Sequence, residues 1–168
     1  YSLIGPESTG FAKWSDGAPL TANDLLYTLN TIQDLNTHSP LLTTWQGVVA
    51  EKLSDHEVKF TLKAPYVFFN DNLESFIILP SHLFSAIPNS NLKLSNYNLE
   101  PVGSGPYTFK SLAKRKDGFI TDYYLIPNIN YIGKKPFITS LHLKFFSATS
   151  EAVKSFNELE TTGLGGLN

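Results

Sequence analysis

The sequence predicts a mixed α/β (α+β) domain built from two antiparallel hairpins with helices packed on them. Three observations carry this. Leu25, Leu26, Leu29 and Ile32 recur at helical spacing. Residues 58–63 and 138–146 alternate apolar and polar side chains with the period of a strand. Two clusters of turn-forming residues, Ser54-Asp55-His56-Glu57 and Lys114-Arg115-Lys116-Asp117-Gly118, each separate a pair of strand-like runs.

Residues 1–20 are irregular and punctuated by Gly5, Pro6, Gly10, Gly17 and Pro19. Thr21 is a good N-cap, and Asp24 puts a negative charge in the first turn, where the helix dipole favours it. The helix is expected over 22–34, ended by the stretch 36–40. Residues 45–53 and 58–63 read as the strands of the first hairpin, with Ala64-Pro65 as its stop. The aromatic segment 66–73 reads as a short helix and 76–79 as a short buried strand or extended piece. Pro80 suits the first turn of a further short helix. Residues 87–101, rich in Asn, Ser and Pro, read as a long surface loop. The second hairpin is expected from strands at 107–112 and 119–126, followed by a loop over 127–136. The strand at 138–146 sets Leu141, Leu143 and Phe145 on one face and His142 and Lys144 on the other. A helix over 147–158 opens with Ser150 and Glu151 and is expected to bury Ala152, Val153 and Phe156.

Bulk properties narrow the function classes. At 168 residues, with 42% hydrophobic and 13% aromatic residues, the chain can bury a true core as one domain or one large piece of a bigger one. A formal net charge of −2 offers no long-range attraction to nucleic acid. The one basic cluster, Lys114-Arg115-Lys116, runs into Asp117-Gly118 and reads as a solvated turn. The absence of cysteine excludes disulfides, thiol catalysis and cysteine metal sites. The absence of methionine makes the chain read as a processed or excised segment. No apolar run approaches the ~18 residues that span a bilayer.

The stretch Val102-Gly103-Ser104-Gly105-Pro106-Tyr107-Thr108-Phe109 is the strongest candidate for chemistry. A nucleophile elbow needs glycine two residues either side of the serine, and Val102 and Pro106 stand there. A phosphate loop needs a Gly-Lys-Ser/Thr ending, which is missing. The stretch therefore reads as structural: Gly103 and Gly105 permit unusual dihedrals, and Pro106 sets the start of a strand whose Tyr107 and Phe109 face a core. The glycine-rich end, Gly163-Leu164-Gly165-Gly166, fails a dinucleotide fingerprint because Asn168 stands where glycine is needed and a helix precedes it. It remains a place where backbone can meet a ligand. His38, His56, His82 and His142 are scattered without metal-ligand spacing, so surface or turn roles are expected and no cofactor or metal is assigned. Tyr66, Phe68, Phe69, Tyr123, Tyr124 and Tyr131 are expected mostly in the core, with an aromatic wall for a ligand as the alternative.

Three stretches in order carry a resemblance. WSDGAPLTANDLLYTL resembles the F-S-D-G-x-P-L-T-A-x-D-V-x-Y-T-L signature of the family 5 extracellular solute-binding proteins, the peptide- and nickel-binding receptors of ABC importers. EPVGSGPYTFK resembles that family's P-V-G-T-G-P-Y-x-F segment. IPNINYIGKKPFITSLHLKFF resembles its N-x-x-Y-x-G-x-x-P-x-I-D-x-I-x-F segment. Order and spacing match from Phe11 to Asn168. The chain departs from the pattern at Ser104, at Thr139 where aspartate is usual, and at Thr161-Thr162-Gly163-Leu164, which replaces the usual G-x-I-D.

The resemblance implies part of the first lobe of a type II periplasmic-binding fold, with 11–100 as a small subdomain, 101–168 returning into the main lobe sheet, and the second lobe absent. It implies an extracytoplasmic receptor, in the periplasm or on the outer face of the cell membrane. Such a receptor binds an oligopeptide or similar solute by lobe closure and performs no bond chemistry. Its expected partners are the ABC transporter permease and, through a lipid anchor, the membrane. The ligand contacts it implies are Gly165, Gly166 and Asn168. Peptide, nickel complex and sugar all stay open as cargo. The competing reading is a stand-alone interaction or scaffold domain of the cell envelope, which a polar, finished surface would favour over an exposed apolar patch.

Overall fold

The computed structural model describes residues 11–163 and 165. Helix α1 (Ala22–Gln33) forms where the leucine spacing puts it and buries Leu25, Leu29 and Ile32. The chain then passes through a 3-10 turn at Leu35–Thr37, the four-residue helix α2 (Leu42–Trp45), the hairpin β1 (Val49–Ser54) and β2 (Glu57–Thr61), and the short helices α3 (Phe69–Glu74) and α4 (Ser81–Phe84). Two 3-10 turns, Asn89–Leu94 and Asn96–Asn98, occupy much of the stretch expected as plain loop. Then follow β3 (Tyr107–Lys114), β4 (Ile120–Pro127), β5 (Leu141–Lys144) and α5 (Thr149–Asn157). Both sheets are antiparallel, one of order β1-β2 and one of order β3-β4-β5. No helix among the described residues is long and apolar enough to cross a membrane.

The main core lies under α1. Ala22, Leu25, Leu29 and Ile32 pack with Trp45, Val48, Val58 and Phe76 in one buried cluster. Trp45 is fully buried, and its ring lies 4.5 Å from Phe76 and 5.7 Å from Phe69 in the tilted and edge-on geometries that aromatic quadrupoles favour. Gln33 reaches into the same region and donates from Nε2 to the carbonyls of Trp45 and Val48, at 2.7 and 2.8 Å.

A polar network runs beside this core. The Asp24 side chain is buried, so each oxygen it withdraws from water must find a donor. Oδ2 accepts the Thr21 N–H at 2.8 Å and the Trp14 indole N–H at 3.4 Å. Oδ1 accepts the Ser81 N–H at 2.8 Å and the Ser81 hydroxyl at 2.6 Å. Thr28, one turn on, donates to the Asp24 carbonyl at 2.7 Å and accepts the Leu79 N–H at 2.9 Å. The Ala22 N–H donates to the Asp55 carbonyl at 2.8 Å, which ties the start of α1 to the β1–β2 turn. Asp24 is thus more than a charge in the first turn: it joins the segment before the helix, the helix and α4.

Several expectations are corrected. Trp45 does not open a strand; it closes α2, and β1 starts only at Val49, because Gly47 turns the chain with φ +80° between them. The strand expected over 138–146 is confined to β5, where β4 supplies partners from Leu125 opposite Leu141 to Asp122 opposite Lys144. Helix α5 turns Ala152 and Ser155 inward and leaves Val153 and Phe156 37% and 39% exposed. Of the segment 66–69, only Phe69 packs against the core cluster, while Tyr66 stands half and Phe68 more than half in water.

Asp24→Ala strips the acceptor from four buried or partly buried donor contacts, and urea unfolding should show a loss of about 3 kcal/mol with an unchanged m-value.

Candidate functional site

The glycine-rich stretch before β3 is a junction. The Gly103 carbonyl accepts the Ser15 N–H at 2.8 Å. The Gly105 carbonyl accepts Asn128 Nδ2–H at 2.8 Å, and the Asn128 N–H donates to the Pro106 carbonyl at 2.9 Å. Asn128 is buried, and its Oδ1 accepts the Asn130 N–H at 2.9 Å, while Asn130 Nδ2 donates to the Ser15 carbonyl at 3.1 Å. His82 Nε2 lies 2.8 Å from Asp16 Oδ2 and ties the same turn to α4. Gly103 and Gly105 do not take the positive φ that would demand glycine, contrary to expectation. The main-chain carbonyls of the stretch are spent on holding residues 15, 105–106 and 128–130 together. Tyr107 and Phe109 are only half-buried and lie outside the core cluster, with the Tyr107 hydroxyl donating to the Ile138 carbonyl at 3.1 Å and the Phe109 ring 5.1 Å from Tyr123.

A second feature, a cleft, lies at the other edge of the second sheet. Strand β5, the start of α5 and residues 160–163 and 165 line a cleft of about 920 Å³. That is at the upper end of the ~300–1,000 Å³ typical of small-molecule sites. Across β4 and β5, Asp122 stands opposite Lys144 and Tyr124 opposite His142. His142 Nε2 lies 2.7 Å from Asp122 Oδ1, and its ring stacks on Tyr124 at 4.2 Å. Lys144 Nζ lies 3.4 Å from Glu160 Oε2, which also accepts the Ser155 hydroxyl at 3.1 Å. Both His142 and Lys144 therefore have acidic partners. Ile138, Leu141, Phe145 and Ala152 supply apolar lining. A wall of this kind suits a mid-sized organic solute held by apolar contact and hydrogen bonds. No group of three or more His, Cys, Asp or Glu side chains that could hold a metal occurs among the described residues.

Electrostatics at the two sites follow from these contacts. The hydrogen bond from the Thr121 side chain, followed by that from His142, holds the Asp122 carboxyl below the ordinary aspartate range. At Asp16 burial pushes the carboxyl up, but the hydrogen bond from His82, the Ala18 N–H and the His82 charge together outweigh it and hold it low.

Of the three glycine and asparagine positions named from the sequence, Gly165 lines this cleft, while Gly166 and Asn168 lie outside the described residues. Sequence reasoning missed His142, Lys144 and Thr161 as cleft residues. The alternation in 138–146 did carry a signal for the first two, because it separates His142 and Lys144 from the apolar face. Thr161 had none.

Two outcomes follow. Asn128→Ala leaves the Gly105 carbonyl and Asn130 N–H short of a partner and should lower stability by about 2 kcal/mol in a denaturant melt. Asp16 and Asp122 are both depressed, so their contribution is present above the ordinary aspartate value of ~3.9 and is lost as pH falls through their lower folded values. The Tm advantage of the wild type over Asp16→Asn and Asp122→Asn should shrink between about pH 5 and pH 3.

Comparison with known proteins places these features. The model of bacterial extracellular solute-binding proteins, family 5 (middle), matches residues 12–160. The oligopeptide-binding protein AppA of Bacillus subtilis is 30% identical over 144 residues, covering 84% of this chain and 26% of its own length. The structure of AppA from Bacillus subtilis in complex with a nonapeptide superposes with a TM-score of 0.77 at 27% identity, over 89% of this chain and 29% of that one. NikZ from Campylobacter jejuni in complex with Ni(L-His) gives a TM-score of 0.74 at 26% identity, over 89% and 29%. The chain spans about a quarter of the length of the curated relatives it matches. Its mixed α/β architecture is a portion of the type II periplasmic-binding fold. With most of its length matched by the family model and its fold shared with solved members, the chain belongs to the family 5 bacterial extracellular solute-binding proteins.

Proposed function

We propose that the chain forms part of the first lobe of an extracytoplasmic receptor that captures oligopeptide-like solutes and delivers them to the permease of an ABC importer. The observation that carries this is the family match over residues 12–160, joined to the fold likeness with a peptide-bound receptor over 89% of the chain. In this reading residues 11–100 form a small subdomain and 101–168 return into the main sheet of the lobe. The protein works by binding and hinge closure and makes or breaks no bond. Gly165, Gly166 and Asn168 line the route to the ligand. Contact with the membrane runs through the permease or a lipid anchor.

Surface character supports a piece of a larger lobe over a stand-alone scaffold domain. Ile129, Phe137 and Ile138, on the connection from β4 to β5, are 86%, 88% and 56% exposed, which is costly for a finished surface.

Native mass spectrometry of the full-length receptor, purified gently from its host, tests the reading. A ladder of co-purifying peptide masses is the expected result. A bare protein that also gains no mass on addition of mixed peptides overturns it.

A further inference from the structure

We infer that the cleft beside β5 is a slot for a β-strand of the receptor's own chain, drawn from outside the described residues, which pairs with the free edge of β5. This deepens the proposed function and rests on its reading of the chain as part of a larger lobe. A cavity over one face of a strand is lined by alternate residues. Every residue from Ser140 to Phe146 lines this cleft, so it runs along the edge of the strand and not over a face. The Phe145 N–H donates to the Thr121 carbonyl at 2.8 Å, and β5 pairs with β4 without a break in register from Leu141 to Lys144. Antiparallel alternation then turns the main-chain groups of Leu141, Leu143 and Phe145 toward β4 and those of His142 and Lys144 away from it, into the cleft. No strand among the described residues takes up the N–H and carbonyl groups of those two residues.

The opposite wall is the segment after α5. Residues 160–163 line it in an unbroken row and lie outside any helix. The 3.4 Å contact of Lys144 with Glu160 joins the two walls. The space is large enough for a mid-sized solute, but its lining favours a permanent occupant. Ile138, Leu143 and Phe145 are 56%, 45% and 47% exposed beside an open strand edge, a combination that invites aggregation and that proteins keep covered. A built-in strand covers it at all times, whereas an exchanging solute covers it only when bound. The curated relatives match this chain over 26–28% of their own length, which leaves ample chain to supply the strand. Its side chains on the face shared with Leu141, Leu143 and Phe145 should be apolar.

The test is hydrogen exchange on the full-length receptor, freed of bound solute by dialysis in mild denaturant and read residue by residue, with and without an oligoalanine peptide. In the ligand-free receptor the His142 and Lys144 N–H groups should exchange at least about a hundredfold slower than unstructured chain, and peptide should not alter that. Rapid exchange of both groups in either state overturns the inference. So does protection that appears only with peptide, which makes the peptide the occupant. A photo-reactive benzoylphenylalanine in place of Phe145 identifies what lies in the slot. A cross-link within the receptor to a segment outside residues 11–165 is expected, and one to added peptide or to a second receptor molecule overturns the inference. A receptor that protects both N–H groups yet takes up no peptide overturns the peptide reading and leaves the strand in place.

Discussion

The Asp24 carboxylate is the constraint on which the first half of the molecule depends. A charged group at 2% exposure is tolerated only when its lone pairs are filled, and here the donors come from Trp14, Thr21 and Ser81. Because those donors lie before the helix, at its cap and in α4, satisfying one carboxylate fixes three segments at once. The apolar cluster of α1, Trp45 and the β1–β2 hairpin then packs to a single geometry. Thr28 repeats the device one turn later by bonding both the Asp24 carbonyl and the Leu79 N–H. Hydrophobic burial supplies most of the stabilisation, while the polar network chooses which arrangement of short helices receives it.

The second half is joined to the first by a similar economy of groups. The Asn128 side chain donates to the Gly105 carbonyl and accepts from the Asn130 N–H, while its own N–H holds Pro106. Asn130 and Gly103 both reach Ser15, so the turn that opens the described chain is clasped from two directions. Backbone that would otherwise be irregular and poorly satisfied becomes a fixed platform for the three-stranded sheet.

That sheet presents a cleft at its β5 edge whose wall is internally charge-compensated. Pairing of His142 with Asp122 and of Lys144 with Glu160 leaves apolar side chains, hydroxyls and main chain as the groups a solute meets. Exposed pairs of this kind add little stability. Their consequence is the chemistry of the surface: among the described residues, His142 and Lys144 each meet the cleft already paired with a carboxylate.

Sequence alone determined the elements whose signal is local. The leucine spacing and the Thr21 cap place α1, and the turn clusters at 54–57 and 114–118 place both hairpins, because period and turn chemistry act over a few residues. Three ordered motifs were enough to indicate the family. Tertiary structure decided the rest. That residues 45–48 bend away at Gly47 rather than extend β1 came with the full burial of Trp45 in the core, and how much of 138–146 is strand depended on how many partners β4 could offer. Which side of α5 faces inward was likewise a tertiary outcome: Ala152 and Ser155 are buried, with the Ser155 hydroxyl donating to Glu160, while Val153 and Phe156 are left partly in water. The cleft was illegible for the same reason. The alternation of 138–146 sets His142 and Lys144 on one face, but only the folding of β5, α5 and the segment after them brings these two and Thr161 around one space.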